Sequence, residues 1–167
     1  MGRGAWVELA LSADRRLIRL VHTRDSHEPN PATDAIWMRR ASELAEQARA
    51  AGNTAVGALI VLDGEIVAEA EEQTPAGPRP FAHAELLAVE AVFKELRGAL
   101  RHATLYSTAE PCVLCAFAIR EAQIGRVVIG REAGEIGSVR SRFPVLTADW
   151  VSRWGEPPEI VWWRRNG

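Results

Sequence analysis

The chain has 167 residues, 47% hydrophobic and 25% charged, and a net charge of −2. This is the length and composition of one globular domain, which excludes a disordered chain, a collagen-like repeat and a long coiled coil. No apolar run approaches the roughly 20 residues of a membrane span, and the overall charge gives no whole-molecule footprint for nucleic acid, though it permits a local basic patch. Residues 1–30 read as an N-terminal extension: Val7, Leu9 and Leu11 alternate with polar or small neighbours, and Leu17 to Val21 form a second apolar patch. A hairpin or a frayed helix fits this stretch, joined by the polar Thr23 to Asn30 to a single domain over 31–167. Thr33 is read as the cap of a first helix, with Ile36, Trp37, Ala41, Leu44, Ala45 and Ala48 at helical spacing and Gly52-Asn53 as its end. Ala55 to Leu62 reads as a buried strand, Asp63-Gly64 as a hairpin turn, and Glu65 to Ala70 as the returning strand. Three prolines and a glycine make Thr74 to Pro80 a loop. A helix from Phe81 to Arg97, a strand from Ala103 to Ser107, a helix from Pro111 to Ala122 and a strand from Arg126 to Ile129 follow. Arg131 to Pro144 shows no period, Ala148 to Trp154 reads as a short helix, and Glu159 to Trp163 as a last strand. On that strand Trp162 and Trp163 face opposite sides, one toward the core and the other over a pocket. Alternating βα units after a hairpin predict an α/β fold with a mixed sheet covered by helices on both faces.

Three features carry chemistry. His83-Ala84-Glu85 opens the second helix; Pro111-Cys112-Val113-Leu114-Cys115 opens the third. Two cysteines are too few for a disulfide scaffold and read as a metal or redox pair in a reducing compartment. Arg3 with apolar Ala5 to Ala10 only faintly mimics a secretory signal, because Glu8 interrupts it and no cleavage site follows, so a cytoplasmic protein is expected. At i and i+3 the two sulfurs share a helix face, and the helix N-terminus favours the thiolates a metal requires. With His83 they make a three-ligand set whose fourth tetrahedral position stays open, as in catalytic zinc. Glu85, two residues from His83, can face a water at the first turn and move its proton. A structural zinc site would need a fourth ligand from His22, His27 or His102. A redox pair would use the cysteines and leave His83 and Glu85 idle.

The pattern H-x-E followed by P-C-x-x-C is a zinc-deaminase signature. Met38-Arg39-Arg40-Ala41, Val56-Gly57-Ala58, Ala82-His83-Ala84-Glu85, Leu105-Tyr106-Ser107-Thr108, Glu110-Pro111-Cys112 and Arg126-Val127-Val128 resemble the cytidine and deoxycytidylate deaminase superfamily. Over residues 34–131 they are most similar to the branch with guanine deaminase and bacterial tRNA adenosine deaminase. The resemblance implies a three-layer α-β-α sandwich with a mixed five-stranded sheet, zinc on His83, Cys112 and Cys115, Glu85 as proton shuttle, and a homodimer. It further implies backbone contacts from the Ala84 N–H and the Ala109 carbonyl to the reacting group. Relatives carry asparagine eleven residues before the histidine; here that place holds Glu72, which can only accept hydrogen bonds when ionised. With only a short basic cluster at Arg164-Arg165, the expected substrate is a free nucleobase, nucleoside or related small amino-heterocycle, with guanine or an amino-purine the best single choice. The alternatives are a tRNA adenosine deaminase and a noncatalytic binding subunit; the presence of Glu85 favours an enzyme.

Overall fold

The computed structural model describes residues 30–76, 79–96 and 98–164. The expected extension lies outside these residues, save for Asn30. Helix α1 is Pro31–Ala50, and its cap is Asn30, not Thr33: the Asn30 side chain accepts from the Ala32 N–H at 2.9 Å. Pro31 explains the earlier start, because its fixed φ suits the first helical position, where its missing N–H is not needed. Strands β1 (Gly57–Leu62) and β2 (Glu65–Glu71) form the expected hairpin, with Asp63 and Gly64 both at positive φ, as a two-residue type I′ turn requires. Helix α2 is Ala84–Leu96, β3 is Thr104–Ala109, α3 is Val113–Ala122, β4 is Arg126–Arg131 and β5 is Glu159–Trp162.

The sheet order is β2-β1-β3-β4-β5, with β1 antiparallel to both neighbours and β3, β4 and β5 parallel. All six residues of β1 are buried, as expected for a strand covered on both faces. Alternation then divides the core. Ile60, Leu62, Leu105, Val127 and Ile129 pack with α2 and α3, whereas Leu59, Val61, Tyr106 and Val128 pack with Met38 and Ala41 of α1. The architecture is the expected three-layer sandwich. Trp162 joins the first core and Trp163 the second, so both are half-buried. Gly57 permits the close seating of α1, since a Cβ there would lie 2.2 Å from the Ala41 carbonyl oxygen.

After β4 the chain is irregular. The helix expected over Ala148 to Trp154 is only a 3₁₀ turn at Ser152–Trp154, with another at Val145–Thr147. Arg120 of α3, 1% exposed, organises this stretch by donating to the carbonyls of Ala148, Gly155 and Glu156 at 2.8–3.0 Å. Arg120 together with the buried Leu146, Ala148 and Trp154 holds the segment, and carbonyls bonded to a side chain take the place of a regular helix.

Candidate active site

The parallel strand β3 runs into α3, and β2 returns through a loop to α2, so both helix N-termini open at one end of the sheet. His83 caps α2, its carbonyl accepting the Leu87 N–H at 2.9 Å. Pro111 precedes α3 and does not start it. Cys112 is the N-cap, in extended backbone, and Cys115 lies in the first turn. Pro111 fixes its own φ and keeps Glu110 out of helical conformation, so the chain enters extended, and Cys112 keeps that extended backbone as the cap. His83 Nδ1 lies 3.4 Å from each sulfur, and the sulfurs are 3.6 Å apart. A tetrahedral zinc at ordinary Zn–S and Zn–N lengths would place these donors about 3.6–3.8 Å apart. The residues fit the ion. They are three donors for a four-coordinate ion, and among the described residues no other cluster of three such donors is drawn together.

The electrostatics agree with the geometry. Sharing of one proton across the sulfur pair, aided by the Cys115 backbone N–H and His83 and opposed by burial, pulls Cys112 down to about 5. The same sharing, with burial, holds Cys115 up. Glu85 is buried, and burial raises its carboxyl above the usual range. The hydrogen bond from Ser107 Oγ at 2.7 Å opposes that rise, while the charges of Cys112 and Glu72 add to it. A carboxyl raised toward neutrality is suited to taking and returning a proton.

Glu72 is buried too, with Oε2 accepting from the Ala84 N–H at 3.0 Å and Oε1 from the Thr74 hydroxyl. Its carboxylate therefore sits at the α2 N-terminus, where the helix dipole favours negative charge, and the Ala84 N–H is already engaged within the protein. Ala109 ends β3, buried, its N–H directed to Ser107 Oγ at 3.3 Å. Two residues quoted only as motif members have defined roles. Ser107 holds Glu85; its signal was a polar residue between Leu105 and Ala109 on one face of β3. Glu110, 3% exposed, accepts from the N–H groups of Ala133, Val139 and Arg140 and so folds the loop after β4 against Pro111 and Cys112. An acidic residue before Pro-Cys was its only signal.

The cytidine and deoxycytidylate deaminase zinc-binding region matches residues 31–131. The chain belongs to that family. It is 38% identical over 98 residues to a tRNA-specific adenosine deaminase of Bacillus subtilis and 39% identical over 112 residues to one of Haemophilus influenzae. These matches cover 58% and 66% of this chain and 61% and 65% of those relatives, so the chain spans under two thirds of their length. A solved structure from work on A-to-I editing by tRNA:A34 deaminases aligns at a TM-score of 0.67 and 29% identity, over 77% of this chain and 98% of that one. The guanine deaminase of Bacillus subtilis aligns at 0.53 and 36% identity, over 59% and 64%. The deaminase family thus accounts for the fold, the zinc site and the motifs. Among the described residues no helix is long and apolar enough to cross a membrane.

Proposed function

We propose that the chain is a zinc-dependent hydrolytic deaminase that converts adenosine to inosine within RNA of the transfer-RNA kind. The observation that carries the chemistry is the buried Glu85 carboxyl next to Cys115 of the His83, Cys112 and Cys115 cluster. The substrate class rests on similarity to the tRNA-specific adenosine deaminases of Bacillus subtilis and Haemophilus influenzae and to the tRNA:A34 deaminase structure. This inverts the weight that composition gave to a free base such as guanine.

Zinc held by these three side chains would supply Lewis-acid activation of water at the open position. Glu85 takes a proton from the attacking water and delivers it to the ring nitrogen beside the amine-bearing carbon. As the water oxygen bonds to that carbon, Glu85 moves the second proton to the amine, the carbon–nitrogen bond breaks, and ammonia leaves. Ser107 fixes the carboxyl through these transfers. Glu72 holds the backbone between His83 and Glu85.

We read the working unit as a homodimer. Val113, Leu114 and Phe117 present an apolar face on α3, at 37–46% exposure, next to the zinc ligands. Sedimentation of wild type and Phe117→Glu tests it: a monomeric wild type contradicts the reading. The function is tested by incubating the zinc-loaded protein with adenosine-containing tRNA and, separately, with guanine, adenosine and cytidine. Digestion and mass analysis should find inosine in the RNA. Ammonia from guanine with unmodified RNA would establish the small-base reading instead.

A further inference from the structure

On the α1 side of the sheet lies a groove of about 900 Å³, whose lining includes Arg39, Arg49, Arg131 and Arg164 against a single acid, Glu46. In a chain of net charge −2, four cations around one cleft are a marked local concentration. Arg49 leans on Glu46 at 3.5 Å. Among the described residues Arg39, Arg131 and Arg164 form no ion pair, and all three are exposed. The groove also contains Trp163, whose backbone is fixed by its N–H to the Ile129 carbonyl at 2.7 Å and whose ring packs on the Met38 core. Its indole is thus anchored yet half-exposed. An aromatic platform among unpaired guanidinium groups suits a single nucleic-acid strand, with bases stacking and phosphates accepting from arginine.

The groove adjoins the active site. Arg131 is the partner of Ala109 across the β3–β4 ladder, about 4.8 Å away by strand spacing, and its carbonyl accepts the Glu110 N–H at 2.7 Å. Thr108 lines the groove, while its neighbour Ser107 holds Glu85. We propose that this groove binds the sugar–phosphate strand flanking the nucleotide in the zinc site, with Arg39, Arg131 and Arg164 on phosphates and Trp163 under a flanking base. The inference rests on the RNA reading above and gives it a surface: the basic patch absent from the overall charge is gathered at one end of the sheet.

The test uses the full zinc-loaded chain and a fluorescent RNA stem–loop with adenosine in the loop. Dissociation constants are measured from low to moderate salt for wild type, Arg39→Gln, Arg131→Gln, Arg164→Gln and Trp163→Phe. Arg101→Gln, at the opposite end of β3, is the control. Each groove arginine variant should weaken binding roughly threefold to tenfold at low salt and flatten the log Kd against log salt slope by about 0.7, the value for one contact to a single strand. Zinc content and unfolding midpoint should stay at wild-type values, which separates lost contacts from lost fold. Trp163→Phe should weaken binding with no change in slope, and Arg101→Gln should change neither. Wild-type affinity and slope in all three arginine variants would overturn the groove while leaving the RNA reading intact if inosine still forms. Arginine-dependent RNA binding without inosine in any RNA would uphold the groove and refute that reading. No RNA binding by wild type, or equal arginine-dependent binding of polyglutamate, would overturn the assignment to RNA.

Discussion

Arg120→Met removes a charge from the back of the helix that carries Cys115. The guanidinium is buried, which pulls its pKa down against the opposing charge of Glu156, and it donates to three carbonyls while lying 5.5 Å from the Trp154 ring. The Ala148 carbonyl is buried and would lose a charged donor with no water to replace it, a loss of about 1–3 kcal/mol. The Gly155 and Glu156 carbonyls are only partly buried and can rehydrate, so each adds roughly 0.5 kcal/mol. The contact with Trp154 contributes about 0.5–2 kcal/mol. Methionine recovers part of this by lifting the desolvation of a buried cation. The net expectation is a loss of ~3 kcal/mol, or about 6–12 °C in Tm for a chain of this length. Urea unfolding monitored by tryptophan fluorescence measures it. Limited proteolysis should locate new cleavage between Leu146 and Glu156. Arg120→Lys should restore only part of the stability, since one ammonium cannot span the same carbonyls. A methionine variant within ~0.5 kcal/mol of wild type, with no new cleavage, would refute the view that Arg120 secures this segment.

Glu85→Gln should keep the fold and the zinc but lose about 10²–10⁴-fold in turnover, because an amide cannot carry the proton; metal analysis alongside single-turnover kinetics checks both halves. Asp34 is buried between Arg126, at 2.8 Å to each carboxylate oxygen, and the Tyr106 hydroxyl. Burial raises its pKa, but the hydrogen bonds and charge of Arg126, with Tyr106, outweigh this and leave it lowered. A lowered folded pKa means the contribution is present above the unfolded value near ~3.9 and is lost as pH falls through the folded one. Asp34→Asn should therefore lose about 3–5 kcal/mol at pH 7 and much less in strong acid; parallel urea curves for the two proteins across that range are the check. Gly137→Ala should loosen the loop over Cys112, since the added Cβ would fall 2.4–2.5 Å from the carboxylate atoms of Glu110, which three N–H groups hold in place. Faster zinc loss to a chelator would show it.

Much of this was readable along the chain because the signals were local. Asp63-Gly64 defined the hairpin through its turn chemistry, and the unbroken apolar run into Leu62 marked a strand covered on both sides. The zinc set was readable because His83 and the cysteine pair each stand at a helix start with chemistry no core requires. What escaped depends on partners distant in sequence. Nothing near Arg120 in the sequence marks its role, because the carbonyls it serves lie 28 to 36 residues on. Nothing in the sequence around Glu72 announces its bond to the Ala84 N–H, 12 residues on. Asn30 and Thr33 are both competent caps, and Pro31 between them decides in favour of the earlier. The arginines of the groove lie on α1, at the end of β4 and after β5, so no window of sequence contains the patch they form.

The central claim is a hydrolysis: water oxygen replaces the amine of an adenosine in RNA, with Glu85 moving the protons. It is tested most directly by running zinc-loaded wild type and Glu85→Gln on adenosine-containing tRNA in heavy-oxygen water and weighing the released nucleosides. The account predicts inosine carrying one heavy oxygen from wild type and almost none from the variant. Unlabelled inosine, equal yields from the two proteins, or intact adenosine beside deaminated free guanine would contradict it.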